Sequence, residues 1–168
     1  PGLKGEWVIG VLEPDCCDID VAALHQLWLG KARRGGIELL CHARLTAARP
    51  QDSGWQLTLE DGRDLSAGVL INAAGAWADG LATLAGAAPK GLMPLRRTMA
   101  VLRIDPVPPA DLPTVMSSDG SFYFKPDGER LWLSPHDEIL DVPHDVRPDE
   151  MDLAVVIDRF EQASTVAV

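Results

Sequence analysis

The chain has 168 residues, 46% of them hydrophobic, and a formal net charge of −10. That is enough for one domain with its own core. No apolar run approaches the roughly 20 residues that span a bilayer, and the acidic balance excludes the basic footprint that nucleic-acid binders need.

In chain order, residues 7–12 (W-V-I-G-V-L) predict a short strand, broken by Glu13-Pro14-Asp15. Asp18 or Asp20 caps a helix whose apolar residues Val21, Leu24, Leu27, Trp28 and Ala32 share one face. Arg33 and Arg34 suit its C-terminal dipole end, and Gly35-Gly36 stops it. Residues 37–40 and 44–48 predict strands, and residues 51–54 a turn. Trp55, Leu57 and Leu59 alternate with polar residues, as in a half-buried strand. Asp61-Gly62 then signals a hairpin to a partner strand through Leu65. Residues 69–71, wholly apolar, predict a strand buried on both faces. A helix follows over residues 76–85, closed by Gly86. Residues 94–104 predict one long strand, and residues 105–113 a Pro-rich loop. Short strands are expected at Val115, at residues 122–125 and at residues 130–134. Their turns fall at residues 118–120 and 126–128. Residues 134–145 read as an acidic, solvated loop that could border a substrate entrance. Pro148, Asp149 and Glu150 open a helix through Leu153, Val156, Ile157 and Phe160. The order predicts a mixed α/β fold that changes near residue 87 from a cofactor-type layer to an antiparallel sheet.

The most informative stretch is residues 69–86, V-L-I-N-A-A-G-A-W-A-D-G-L-A-T-L-A-G. Ala73, Ala74 and Gly75 put no large side chain between the main chain and a ligand. A helix start offers N–H groups and a positive dipole end to an anion. By small-residue content alone, close packing of a helix on a sheet is the commoner reason for Ala-Ala-Gly. The full string resembles the "V-V-x-A-A-G-x-W" segment of the glycine oxidase, sarcosine oxidase and D-amino-acid oxidase (DAO) family of FAD-dependent oxidoreductases. The similarity extends through the helix and strand of residues 21–40, the meander of residues 44–65, the strand of residues 92–102, and the "Y-x-x-P" of Tyr123-Phe124-Lys125-Pro126.

This resemblance implies part of a Rossmann-like FAD-binding domain with a β-meander, joined to an antiparallel-sheet substrate domain. Residues 1–17 would be a substrate-domain strand and linker, and 18–86 the FAD-binding segment. Residues 87–147 would form the substrate-domain sheet, and 148–168 a helix leading to a further flavin segment. By the same resemblance Leu45 meets the adenine end of FAD, and Ala73, Ala74 and Gly75 lie beside the ribose and diphosphate with Trp77 nearby. Tyr123 shapes the substrate pocket, against the alternative of an ordinary strand aromatic. The family's P-x-R-G-Q reads here Pro94-Leu95-Arg96-Arg97-Thr98, so the Gly-Gln contacts are replaced. Arg96 or Arg97 would meet an anionic substrate, although a surface arginine is the commoner fate.

No G-x-G-x-x-G occurs in the sequence, and the family's fingerprint and its carboxylate-binding arginine are expected in flanking segments. A chain that opens at Pro1 and closes at Val168 is therefore expected to be a central fragment that holds FAD weakly and is inactive alone. Three cysteines (Cys16, Cys17 and Cys41) without a C-x-x-C pair argue against a disulfide framework or a zinc site. His25, His42, His136 and His144 lack ligand spacing, so no metal is expected. The expected activity is hydride transfer to flavin from the C–N carbon of a small amine, glycine or D-amino acid. The alternatives are a flavoprotein acting on a 2-hydroxy acid, glycerol phosphate or modified tRNA base, and a non-catalytic binding or assembly domain. A cytoplasmic protein with no nucleic-acid partner and no membrane span is expected, compatible with an oligomer.

Overall fold

The structure, a computed structural model, describes residues 2–5 and 7–166. The chain divides into two units, Val11–Leu92 and Pro1–Gly10 with Met93–Val168. Its architecture is mixed α/β with antiparallel sheets.

The unit Val11–Leu92 begins with helix α1 (Val21–Arg34), whose N-cap Asp20 accepts a hydrogen bond from the Ala23 amide. This satisfies one of the orphan donors of the first turn. Lys31, Arg33 and Arg34 occupy the last turn, and Gly35 caps it. A three-stranded antiparallel meander follows: β1 (Leu45–Gln51), β2 (Gly54–Leu59) and β3 (Asp64–Ala67). Gly54 sits at φ +139, where a Cβ would lie 2.3 Å from the Ala67 carbonyl oxygen, so the β1–β2 turn needs glycine. Residues Gly75–Trp77 make a 3-10 turn into the short helix α2 (Ala78–Leu84).

Three strands expected from the sequence do not form: residues 7–12, 37–40 and 69–71 have no ladder. Val69 and Ile71, expected to be buried on both faces, are 76% and 80% exposed. Their β-branched side chains favour an extended backbone, but a strand also needs a hydrogen-bonded neighbour. None of the strands among the described residues pairs with them. Likewise the apolar stripe of α1 is uncovered, with Trp28 60% exposed. In β2 the expected alternation is weak: Leu59 is buried, whereas Trp55 and Leu57 are half-buried like the polar residues between them. Of the described residues of this unit, only Ala48 and Leu59 enter the buried apolar set, so it holds its shape largely by backbone ladders and turns.

The second unit has the true core. A four-stranded antiparallel sheet runs in the order β5 (Ala100–Arg103), β8 (Arg130–Ser134), β7 (Tyr123–Asp127), β6 (Val115–Met116). Helix α3 (Glu150–Ala163) buries Val156, Phe160 and Ala163 in the same cluster as Phe124, Leu131 and Leu133 of the sheet. Phe124 and Phe160 meet edge to face at 5.3 Å. The helix starts two residues after Pro148, with Asp149 as N-cap. The single strand expected over residues 94–104 is split into β4 (Leu95–Arg96) and β5. The break is chemical: the Thr98 amide donates to Asp137 (2.7 Å), and the Thr98 carbonyl accepts from Ser134 Oγ (2.7 Å). With its backbone spent on side chains, the chain leaves the sheet. β4 pairs instead with β9 (Ile139–Leu140), a strand inside the stretch expected to be a solvated loop.

Candidate functional site

In the first unit the small-residue stretch is organised by Asn72. Its side-chain oxygen accepts from the Ala74 amide (3.2 Å), and its Nδ2 donates to the Ala78 carbonyl (2.8 Å). One side chain thereby bridges the whole turn from the end of the apolar segment to the start of α2. The Trp77 amide closes the turn on the Ala74 carbonyl (3.0 Å). Gly75 adopts φ +53, and a Cβ built there would meet nothing within 4 Å. The glycine is therefore demanded by backbone conformation and leaves open space in front of the chain. Ala73 and Gly75 are exposed, Ala74 is half-buried, and the Trp77 ring stands half in solvent. This stretch can bring main chain against a nucleotide's ribose and phosphates without displacing a side chain, so the residues present fit such a group.

Asp79, in the first turn of α2, has a role that the sequence did not announce. Its carboxylate accepts from three consecutive amides, Lys90 (2.9 Å), Gly91 (2.8 Å) and Leu92 (2.8 Å). These bonds, that from Lys90 foremost, hold its pKa below the usual carboxylate value. The far end of the unit is thus tied to the helix that follows the open turn. An apolar recess of about 140 Å³ lies beside the turn, lined by Trp55, Leu70, Asn72, Leu81, Ala82 and neighbouring alanines. Leu45 begins β1, half-buried opposite Leu59, next to a register irregularity between Leu45 and Ala47.

In the second unit Tyr123 pairs with Ser134 across β7 and β8, half-buried on the face opposite Phe124. The His136 ring meets the Tyr123 ring edge to face at 5.5 Å. The acidic composition of residues 134–145 predicts a solvated loop around His136. His136 is in fact fixed, with a left-handed backbone (φ 55) and Nδ1 3.0 Å from the Gly120 carbonyl. A carbonyl only accepts, so Nδ1 carries the proton.

Arg96 and Arg97, the candidate anion binders, are both paired within the protein. Arg96 meets Asp152 at 2.6 Å, each side chain less than one-fifth exposed. Arg97 meets Glu138 at 2.7 Å and donates to the Asp137 carbonyl. Cys16, Cys17 and Cys41 are exposed free thiols. Among the described residues no group of three His, Cys, Asp or Glu side chains could hold a metal ion, and no helix is long and apolar enough to cross a membrane.

Among solved structures, the chain is similar to Klebsiella pneumoniae HpxO complexed with FAD and uric acid (TM-score 0.51, 18% identity, 86% of this chain and 37% of that one). It is also similar to a single-substitution variant of the same protein complexed with FAD (TM-score 0.52, 18% identity, 86% and 38%). At that identity the likeness is one of fold, and the chain spans less than two-fifths of the length of those proteins. Residues 1–164, nearly all of the sequence, match the family model described as DAO, FAD dependent oxidoreductase. The fold is thus similar to that of a protein complexed with FAD, and by the family model, which matches nearly all of its residues, the chain belongs to the FAD-dependent oxidoreductase (DAO) family.

Proposed function

We propose that this chain is the central portion of a longer flavoenzyme that oxidises the C–N bond of a small amine, glycine or D-amino acid. The observation that carries the reading is the turn at residues 72–77. Its backbone is held by Asn72, it has a left-handed Gly75, and it has free space in front of it. Ala73, Ala74, Gly75 and Trp77, with the start of β1 at Leu45, would hold FAD, which accepts the substrate's hydride when bound. The uncovered apolar segments at residues 37–40 and 69–71 agree with further strands being supplied by flanking polypeptide.

Tyr123 shapes the pocket in which the amine is oriented. The α-carbon loses a hydride and the nitrogen a proton, giving an imine that water hydrolyses to a carbonyl compound and ammonia or a primary amine. Arg96 and Arg97 are paired with Asp152 and Glu138, and in this reading the main cation for a substrate carboxylate comes from a flanking segment, as the family resemblance implies.

The test is an absorbance scan of the complete protein, then anaerobic addition of glycine, sarcosine and a panel of D-amino acids. Bleaching of a bound flavin by one of them is the expected result. Bound flavin that none of them bleaches removes the substrate assignment and leaves a 2-hydroxy acid, glycerol phosphate or modified tRNA base to be tried. Absence of flavin from the complete protein removes the cofactor assignment as well.

A further inference from the structure

Helix α3 sends one side chain to the end of the sheet where Tyr123 and His136 stand. Arg159 Nη1 donates to two main-chain carbonyls, Ser121 (2.9 Å) and Pro135 (2.9 Å). Those carbonyls belong to different segments. Ser121 precedes β7 by two residues, in the tight turn after β6, and Pro135 directly follows β8. Each segment is also folded on itself. Ser117 Oγ takes the Phe122 amide (3.0 Å), and Asp119 takes both the amide and the hydroxyl of Ser121. Ser134 Oγ takes the His136 amide (3.1 Å). Two links join the segments among the described residues: the His136–Gly120 hydrogen bond and the shared guanidinium nitrogen of Arg159. Within this arrangement His136 has a left-handed backbone, uncommon for a residue with a Cβ, and its ring stands edge to face on Tyr123.

We propose that Arg159 is a positioning residue for the Tyr123 pocket. It clamps the residue 117–122 turn to the residue 134–136 turn, and so sets the aromatic wall made by Tyr123 and His136. The inference rests on the assignment of Tyr123 to the substrate pocket. Arg159 acts through the carbonyls of Ser121 and Pro135. A guanidinium suits the task because its fixed donors serve two acceptors at once, whereas a lysine ammonium on a flexible stem is less well pre-organised to hold both.

The experiment compares the complete flavoprotein with its Arg159→Lys and Arg159→Met variants, measuring anaerobic flavin reduction by whichever of glycine, sarcosine and D-alanine reduces the parent. Arg159→Met is expected to raise the half-saturating concentration about tenfold while the limiting rate changes by less than about threefold, the pattern of lost binding shared by ground and transition states. Arg159→Lys should recover part of the loss, and the flavin spectrum should be the same in all three proteins. Half-saturation unchanged in both variants overturns the proposal, as does a Lys variant no better than Met. If neither these three compounds nor the wider D-amino-acid panel reduces the parent, the substrate assignment fails by itself. The clamp is then judged by the His136 imidazole proton resonances in the same proteins. A ring-current shift present in the parent and lost in Arg159→Met upholds the clamp, and an unchanged shift overturns it.

Discussion

Replacing Gly75 by alanine separates what the backbone demands from what a ligand demands. Gly75 (φ +53) and Gly62 (φ +84) are both left-handed, and at both a Cβ would meet nothing within 4 Å. An alanine at either position therefore carries a conformational strain of about 1–2 kcal/mol and no clash. Gly62 lies in the β2–β3 hairpin and serves as the control. Urea denaturation of Gly75→Ala and Gly62→Ala should show losses of that order in both. Strain present with and without flavin cancels from the binding constant. Any fall in FAD affinity beyond the control then reports the methyl group meeting the ligand. Titrating apoprotein with FAD and following flavin fluorescence, we expect Gly75→Ala to weaken binding by about tenfold or more, some 1.4 kcal/mol, and Gly62→Ala to leave it unchanged. An FAD affinity for Gly75→Ala within about twofold of the parent, beside a stability loss of that order, would refute the idea that main chain at Gly75 lies against the cofactor.

Three further outcomes are expected. Asp79→Ala should speed amide hydrogen exchange at Lys90, Gly91 and Leu92, the three donors to that carboxylate. Because the folded pKa of Asp79 is depressed, the parent should keep this protection above the ordinary carboxylate value of about 4 and lose it only as pH falls through the lower folded value. Exchange at those amides that is indifferent to the substitution would dismiss the tether. Asp152→Ala removes the partner of the largely buried Arg96 and should cost about 2–3 kcal/mol by urea denaturation, more than any loss from Glu138→Ala, whose partner Arg97 is exposed. Phe160→Ala deletes a fully buried ring packed on Phe124 and should cost about 3–5 kcal/mol, read from the fluorescence of Trp7 and Trp132 in the same unit.

Local chemistry was legible wherever a short stretch contains both halves of an interaction. Asp20 reaches an amide three residues on, Asp61-Gly62 closes its own hairpin, and the Leu153-Val156-Phe160 spacing brings one helix face to the core. The Ala-Ala-Gly turn belongs to this class, since Asn72 and Ala78 lie six residues apart. The 94–104 segment was misread as one strand because its interruption is made by Asp137 and Ser134, whose spacing from Thr98 (39 and 36 residues) no local pattern encodes. The strand β9 went unseen for the same reason, as a two-residue pairing inside an acidic run has no periodicity to detect.

By itself the sequence determined the two long helices and their starts, the turns of the meander and the side-chain-free stretch at residues 73–75, because these follow from backbone preferences acting over a few residues. Tertiary structure alone decided which apolar segments become strands, since residues 69–71 carry the preference and lack a partner among the described residues. It also decided that Arg96 and Arg97 pair with Asp152 and Glu138, and that His136 stands against Tyr123. Charge pairing and ring packing depend on which distant residues the fold brings within a few ångströms, and sequence proximity does not specify that.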